Sequence, residues 1–181
     1  MNIATRLSEV ARRQPGEPAV VVDRTGAHDT LRFRELEDES DRAAAGLASV
    51  GIVRGMRTVL MVTPGAEFFV LAFALFKLGA VPVMVDPAMG ARKLGACLAE
   101  AEPAAFIGIP KAHTARLLLG WARRSVRINV TVDRRVWGTH GYHALMARTP
   151  SVKFATADTT ADETAAILFT SGSTGPPKGV A

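Results

Sequence analysis

The sequence is poor in the groups from which self-contained sites are usually built. It carries one cysteine, Cys97, in 181 residues, which excludes an internal disulfide and a multi-thiolate zinc site and makes a reducing, cytoplasmic compartment the expected location. Long apolar runs are lacking too. The longest charge-free apolar stretch, residues 68–76, is ended by Lys77, far short of the roughly 20 residues a spanning helix needs. The first fifteen residues hold Arg6, Glu9, Arg12 and Arg13 and no apolar segment, so a secretory signal is not expected. Acidic residues almost vanish between 103 and 157, where nine Lys and Arg face Asp133 alone. That stretch carries +8, and the rest of a chain of formal charge +5 carries −3. Aromatics are scarce as well. Trp121 and Trp137 stand apart, so the basic stretch offers no stacking platform, and no nucleic-acid partner is expected from it. It reads as a solvated face or a surface meeting another part of a larger protein.

What is present is a core. Hydrophobic residues make up 48% of the chain and charged residues 22%, as in ordinary globular domains. A helix is expected over 2–14, with Asn2 as N-cap and Pro15-Gly16 as its stop. Two short strands, 19–22 and 30–33, flank turn-type residues 23–26 and predict a hairpin. A helix over 34–50 has Leu36, Ala43, Leu47 and Val50 on one stripe, and Gly51 follows it. Strands with no polar alternation are expected at 58–62, 81–85, 104–109, 128–132 and 165–169. Helices are expected at 66–78, 89–101, 111–121 and 142–147. The helix over 66–78 is apolar nearly all round, which predicts a helix covered on several sides. Uninterrupted apolar strands separated by helices predict an α/β fold, a parallel-rich sheet with helices on both faces. By these signals residues 1–147 are α/β layers, 148–164 a linker or surface excursion, and 165–181 a strand with a loop.

That loop holds the chemistry. Thr170, Ser171, Gly172, Ser173, Thr174, Gly175, Pro176, Pro177, Lys178 and Gly179 follow an apolar strand. Glycines let backbone N–H groups converge on an anion, four hydroxyls add donors and Lys178 adds a positive charge, a set suited to polyphosphate. A Walker A loop would need glycine before the lysine and Ser or Thr after it. Here Pro177 precedes Lys178 and Gly179 follows, so a different phosphate clamp is expected. A flexible linker is the bland alternative, but it does not account for the apolar strand before it or the Pro-Pro-Lys-Gly that closes it.

Residues 167–180 resemble the phosphate-binding loop of the adenylate-forming, AMP-binding enzyme superfamily. Residues 75–87, with Leu75-Phe76-Lys77-Leu78-Gly79-Ala80 leading to Asp86-Pro87, resemble a second landmark of that family. Phe33-Arg34-Glu35-Leu36 with Ala44-Ala45-Gly46-Leu47 resembles the helix that opens many members. The segments Ala105–His113, Gly120-Trp121 and Asp86–Gly90 resemble the olefin-biosynthesis β-lactone synthetases within it. The resemblance implies the N-terminal portion of the large domain of an adenylate-forming enzyme. It implies ATP and Mg²⁺ in the full-length enzyme, a carboxylic acid substrate, and partner enzymes of the same lipid pathway. The substrate it implies is a long-chain β-hydroxy fatty acid converted to a β-lactone. Thr170, Ser171, Gly172, Ser173, Thr174, Gly175 and Lys178 would bind the ATP phosphates.

The adenine-binding motifs, the C-terminal domain and its catalytic lysine are not among these 181 residues. No catalytic residue and no metal ligand is therefore assigned, and the chain alone is expected to be inactive. A fatty acyl-CoA ligase fragment and a non-catalytic phosphate-binding remnant are the alternatives. Cys97 reads as a buried inert thiol, Asp86 as a turn residue, and His28, His140 and His143 as surface histidines. His113 has no role assigned.

Overall fold

The computed structural model describes residues 2–24, 27–134, 136–170 and 178–180. Asn2 starts helix α1 (Ile3–Arg13), its side-chain oxygen accepting the Ala4 N–H at 3.0 Å. Strands β1 (Pro18–Arg24) and β2 (Ala27–Arg32) form the antiparallel hairpin. Its expected turn is shorter than read, because Asp23 and Arg24 belong to β1; Thr25 and Gly26 lie outside the described residues. Helix α2 (Phe33–Ser49) follows, with the Glu35 carboxylate accepting the Arg32 N–H at 2.8 Å.

Strand β3 (Arg57–Met61), helix α3 (Ala66–Leu78) and strand β4 (Val81–Val85) then lead through a 3₁₀ turn (Pro87–Met89) to helix α4 (Ala91–Ala101). This helix starts later than its apolar pattern predicts, because Gly90 takes φ +86°, outside the helical region. Strand β5 (Ala105–Gly108), helix α5 (Pro110–Leu119), strand β6 (Ile128–Thr131), strand β7 (His140–Gly141), helix α6 (Tyr142–Arg148), strand β8 (Ile167–Thr170) and strand β9 (Lys178–Val180) complete the chain. None of the described helices is long and apolar enough to cross a membrane.

Seven described strands form one sheet in the order β7-β6-β5-β3-β4-β8-β9. All pairings are parallel except β8 with β9. From β3 the chain steps to β4 on one side; it then crosses back to β5 and on to β6 on the other. Right-handed crossovers taken in opposite directions must place their helices on opposite faces, and the packing follows. Leu60, Ala105, Ile107 and Val130 face a core shared with α2 and α3. Val59, Val83, Phe106 and Phe169 face a second core with α4. Consecutive residues Val59 and Leu60 therefore enter different cores, which is why these strands show no polar alternation.

The face carrying α2 and α3 is built around a charge. Lys77 is completely buried. Its ammonium donates to the Glu37 backbone carbonyl at 3.0 Å, to Glu37 Oε2 at 2.9 Å and to Asp41 Oδ1 at 2.6 Å. All three ammonium hydrogens are used. Ser8 of α1 donates to Glu37 Oε1 at 2.7 Å, so three helices meet at one carboxylate. Asp41 and Glu37, which lie off the apolar stripe of α2, are buried for this reason.

Residues 149–166 have no helix or strand, yet they are strapped to the fold rather than free of it. Arg42 Nε donates to the Thr149 carbonyl at 2.8 Å, Asn2 Nδ2 to the Ala157 carbonyl at 3.0 Å, and the Ala157 N–H to the Lys77 carbonyl at 2.8 Å. Gly79, at φ +68°, leaves room for this strap, since a Cβ there would stand 3.0 Å from that of Ala157.

Two outcomes follow from the Lys77 network. Lys77→Met strands two buried carboxylates and is expected to lower stability by about 3–5 kcal/mol, read by urea denaturation at pH 7. Replacing Glu37 and Asp41 by Gln and Asn in the same chain should recover part of that loss. Burial alone would raise the Glu37 carboxyl, but hydrogen bonds from Ser8 and Lys77, with the charges of Lys77 and Lys153, bring it below 4.5. A depressed carboxyl stabilises the fold above its unfolded value and loses that contribution as pH falls through the folded one. Stability should therefore fall with pH below about 4.5, less steeply in Glu37→Gln.

Candidate phosphate-binding site

The proposed phosphate loop joins the last two strands at one edge of the sheet, β8 and β9. Strand β8 pairs in parallel with β4 through Val83–Ile167, Met84–Leu168 and Val85–Phe169. Phe169 is buried in the second core. Strand β9 returns antiparallel beside β8, with Thr170 opposite Lys178. The two ends of the candidate loop are thus cross-strand neighbours. Ser171, Gly172, Ser173, Thr174 and Gly175 lie outside the described residues, as do Pro176 and Pro177. Of the expected set, the backbone positions of Thr170 and Lys178 are therefore the ones the structure locates. Strand β9 carries no periodic signal of its own in the sequence; it exists as a partner for β8.

The ladder joins stretches that are distant in sequence. The segment 75–87 runs from the end of α3 along β4, and β8 lies against β4. Asp86 closes β4, its carboxylate accepting the Ala88 N–H at 2.8 Å, a turn role as its place before Pro87 predicts. On α2, Gly46 allows close approach of α6, since a Cβ there would stand 3.2 Å from Thr149 Oγ1 and 3.6 Å from Leu145 Cβ. The donor chemistry of residues 170–179 is cationic and hydroxylic with no carboxylate, so it fits an anion. A Mg²⁺ ion would need oxygen ligands from the phosphates themselves or from elsewhere.

Other candidate groups prove structural. His113 is buried, its Nε2 lying 2.9 Å from the Val130 carbonyl and its ring edge-on to Phe106 at 5.0 Å. Burial, aided by the charge of Arg116, lowers its pKa. Arg116 breaks the expectation of a wholly solvated basic stretch. It is buried, with Nη2 donating to Asn129 Oδ1 at 2.8 Å and the guanidinium 5.5 Å from the Phe106 ring centre. The remaining described Lys and Arg residues of 103–157 are exposed.

Cys97 is buried and its Sγ lies 3.7 Å from Met89 Sδ. One constellation escaped the sequence reading. His143 meets Glu67 and Asp133, although no short spacing links these three positions. His143 reads by sequence as a surface histidine, and His140, three residues before it, lies in β7 and outside the cluster.

The fold, a parallel sheet covered on both faces and closed by a short antiparallel hairpin, is found as a portion of larger proteins of known structure. Acetoacetyl-CoA synthetase from Streptomyces lividans superimposes with a TM-score of 0.87 at 22% identity, over 99% of this chain and 30% of that one. An anthranilate CoA ligase bound to anthranoyl-AMP superimposes with a TM-score of 0.85 at 18% identity, over 99% and 34%. A profile of the AMP-binding enzyme family matches residues 7–181, and the chain belongs to that family. It is 53% identical to an olefin beta-lactone synthetase of Stenotrophomonas maltophilia, over 99% of this chain and 34% of that protein. A protein of the same description from Xanthomonas campestris pv. campestris is 49% identical, over 99% and 34%. The chain thus spans about a third of the length of these relatives.

Burial raises the Cys97 thiol pKa, with a smaller push from Glu100, so little thiolate is present at neutral pH. Because it is the sole thiol, the native chain is expected to react with a disulfide reagent only as fast as it unfolds. A stoichiometric burst before unfolding would contradict the packing described.

Proposed function

We propose that this chain is the ATP-phosphate-binding portion of an AMP-forming, carboxylate-activating enzyme whose substrate is a long-chain β-hydroxy fatty acid. Whole-chain identity of 53% to an olefin beta-lactone synthetase is the observation that carries this reading. Thr170, Ser171, Gly172, Ser173, Thr174, Gly175 and Lys178 bind the β- and γ-phosphates of ATP. A substrate carboxylate oxygen attacks the α-phosphorus, pyrophosphate leaves, and an acyl-adenylate forms. The substrate's own β-hydroxyl then attacks the acyl carbonyl, loses its proton and expels AMP, closing a four-membered lactone without CoA. When bound, Mg²⁺ offsets the charge of the phosphates. This chain supplies donors that hold the leaving pyrophosphate in place, and positioning of this kind is most of what a protein contributes to such a transfer. The reaction runs in the cytoplasm, and adenine recognition and the catalytic lysine come from outside these 181 residues.

A fatty acyl ligase is the second reading. A medium/long-chain fatty acid–acyl-carrier-protein ligase of Mycobacterium tuberculosis is 30% identical over 98% of the chain and 32% of that protein. ATP–pyrophosphate exchange with β-hydroxy acids separates the possibilities. The 181-residue chain alone is expected to give no exchange above blank. The same chain in a protein of its relatives' length is expected to give exchange and a β-lactone without CoA. Turnover by the short chain would overturn the division of labour, and an acyl thioester in place of lactone would favour the second reading. In the longer protein Lys178→Ala is expected to lower kcat/KM for ATP about 10- to 100-fold, the worth of one charge-assisted hydrogen bond of roughly 1.5–3 kcal/mol.

A further inference from the structure

One cluster of ligand-type side chains takes no part in that reaction. Glu67 in the first turn of α3, Asp133 just after β6 and His143 in the first turn of α6 converge, their ligand atoms all within 4.8 Å of one another. His143 Nε2 lies 3.6 Å from Glu67 Oε1.

The cluster stands at a special place in the sheet. Neighbouring strands β3 and β5 send their connections in opposite directions, one toward β4 and the other toward β6. A crevice must open between their carboxyl ends, where open α/β sheets bind ligands. A cavity of about 480 Å³ occupies it, walled by the turn after β3, by Ile109 after β5 and by Val132 after β6. Asp29, Glu67 and Asp133 line this cavity, and among the described residues no lysine or arginine does. In a chain of net charge +5 that is a local inversion of sign. Glu67 alone suffices to answer the positive end of α3. Two further carboxylates and an imidazole are in excess of that need, and like charges gathered together oppose one another unless a cation joins them.

We propose that Glu67, Asp133 and His143 form a divalent-cation site that prefers a borderline ion of the Zn²⁺ type to Mg²⁺. An imidazole with two carboxylates suits zinc, whereas Mg²⁺ favours an all-oxygen octahedron. Tetrahedral ligation at about 2.1 Å sets ligand atoms about 3.4 Å apart. The His143–Glu67 separation already lies close to this. All three side chains are at least partly exposed, so side-chain rotation closes the rest and leaves a fourth position to water. The bound ion ties α3, the end of β6 and α6 together at the mouth of the crevice.

The metal-free purified chain, without ATP, is titrated with Zn²⁺ by calorimetry and with Co²⁺ by visible absorption. One equivalent is expected, with a Co²⁺ d–d band, and a tenfold excess of Mg²⁺ should not displace it. His143→Ala and Glu67→Gln are each expected to weaken binding at least tenfold, and His140→Ala to leave it unchanged. Asp133→Asn should weaken it too, since asparagine tolerates the φ of +72° found there. Absence of a stoichiometric Co²⁺ band, equal displacement by Mg²⁺, or binding that survives loss of His143 and Glu67 would each overturn the assignment. Because no nucleotide is present, these outcomes do not depend on the proposed adenylation.

Discussion

The fold depends on one buried ammonium. Lys77 sits near the end of a helix that is apolar apart from it and Glu67, in a core where an unpaired charge would cost several kcal/mol. Glu37 and Asp41 of α2 remove that cost, and the geometry required to do so fixes how α2 lies on α3. Ser8 extends the constraint to α1. The Lys77 carbonyl and Asn2 extend it to the strap at Ala157. An apolar contact of equal area would stabilise these helices without specifying their register; the three directed bonds of Lys77 do specify it. The same helix leads into β4, the strand on which β8 is laid. The order of the charge network is therefore passed along the chain to the strand that delivers the loop.

Much of this was legible before any coordinates. Continuous apolar strands identified a sheet buried on both faces, and the helix over 66–78 and strand over 81–85 agree with α3 and β4 to the residue. Asn2, Gly79 and Gly51 mark helix ends through capping chemistry that operates locally. The features that were not legible all arise from contacts between distant residues. Strands β7 and β9 have two and three residues, too few to show a period, and exist because a neighbouring strand offers a ladder. Glu37 and Asp41 look like members of a solvated acidic face until Lys77 is folded against them. Arg116 belongs to a basic run by sequence and to the Phe106 side of the sheet by structure.

The phosphate loop proposed from residues 170–178 is a reading of a different kind. Its residues lie within one short segment, so composition alone carries the chemistry. By contrast Glu67, Asp133 and His143 come from three elements, and nothing in their spacing joins them. A local motif can be read from a string; a site assembled at the carboxyl ends of several strands cannot be, because the crossover directions that create it are a property of topology.

The two prolines explain why this loop returns as a strand. A phosphate loop that opens a helix uses the first N–H groups of that helix as donors. Pro176 and Pro177 have no N–H to give, and proline also disfavours a helical conformation in the residue before it. The chain instead turns back, and β9 pairs with β8 so that Lys178 stands opposite Thr170. Closing a loop of this size costs little chain entropy, since the cost grows only with the logarithm of length. The ladder to β4 and the burial of Phe169 hold one end of it in the sheet. The β8–β9 pairing returns the backbone of Lys178 beside that of Thr170 at the β9 edge of the sheet.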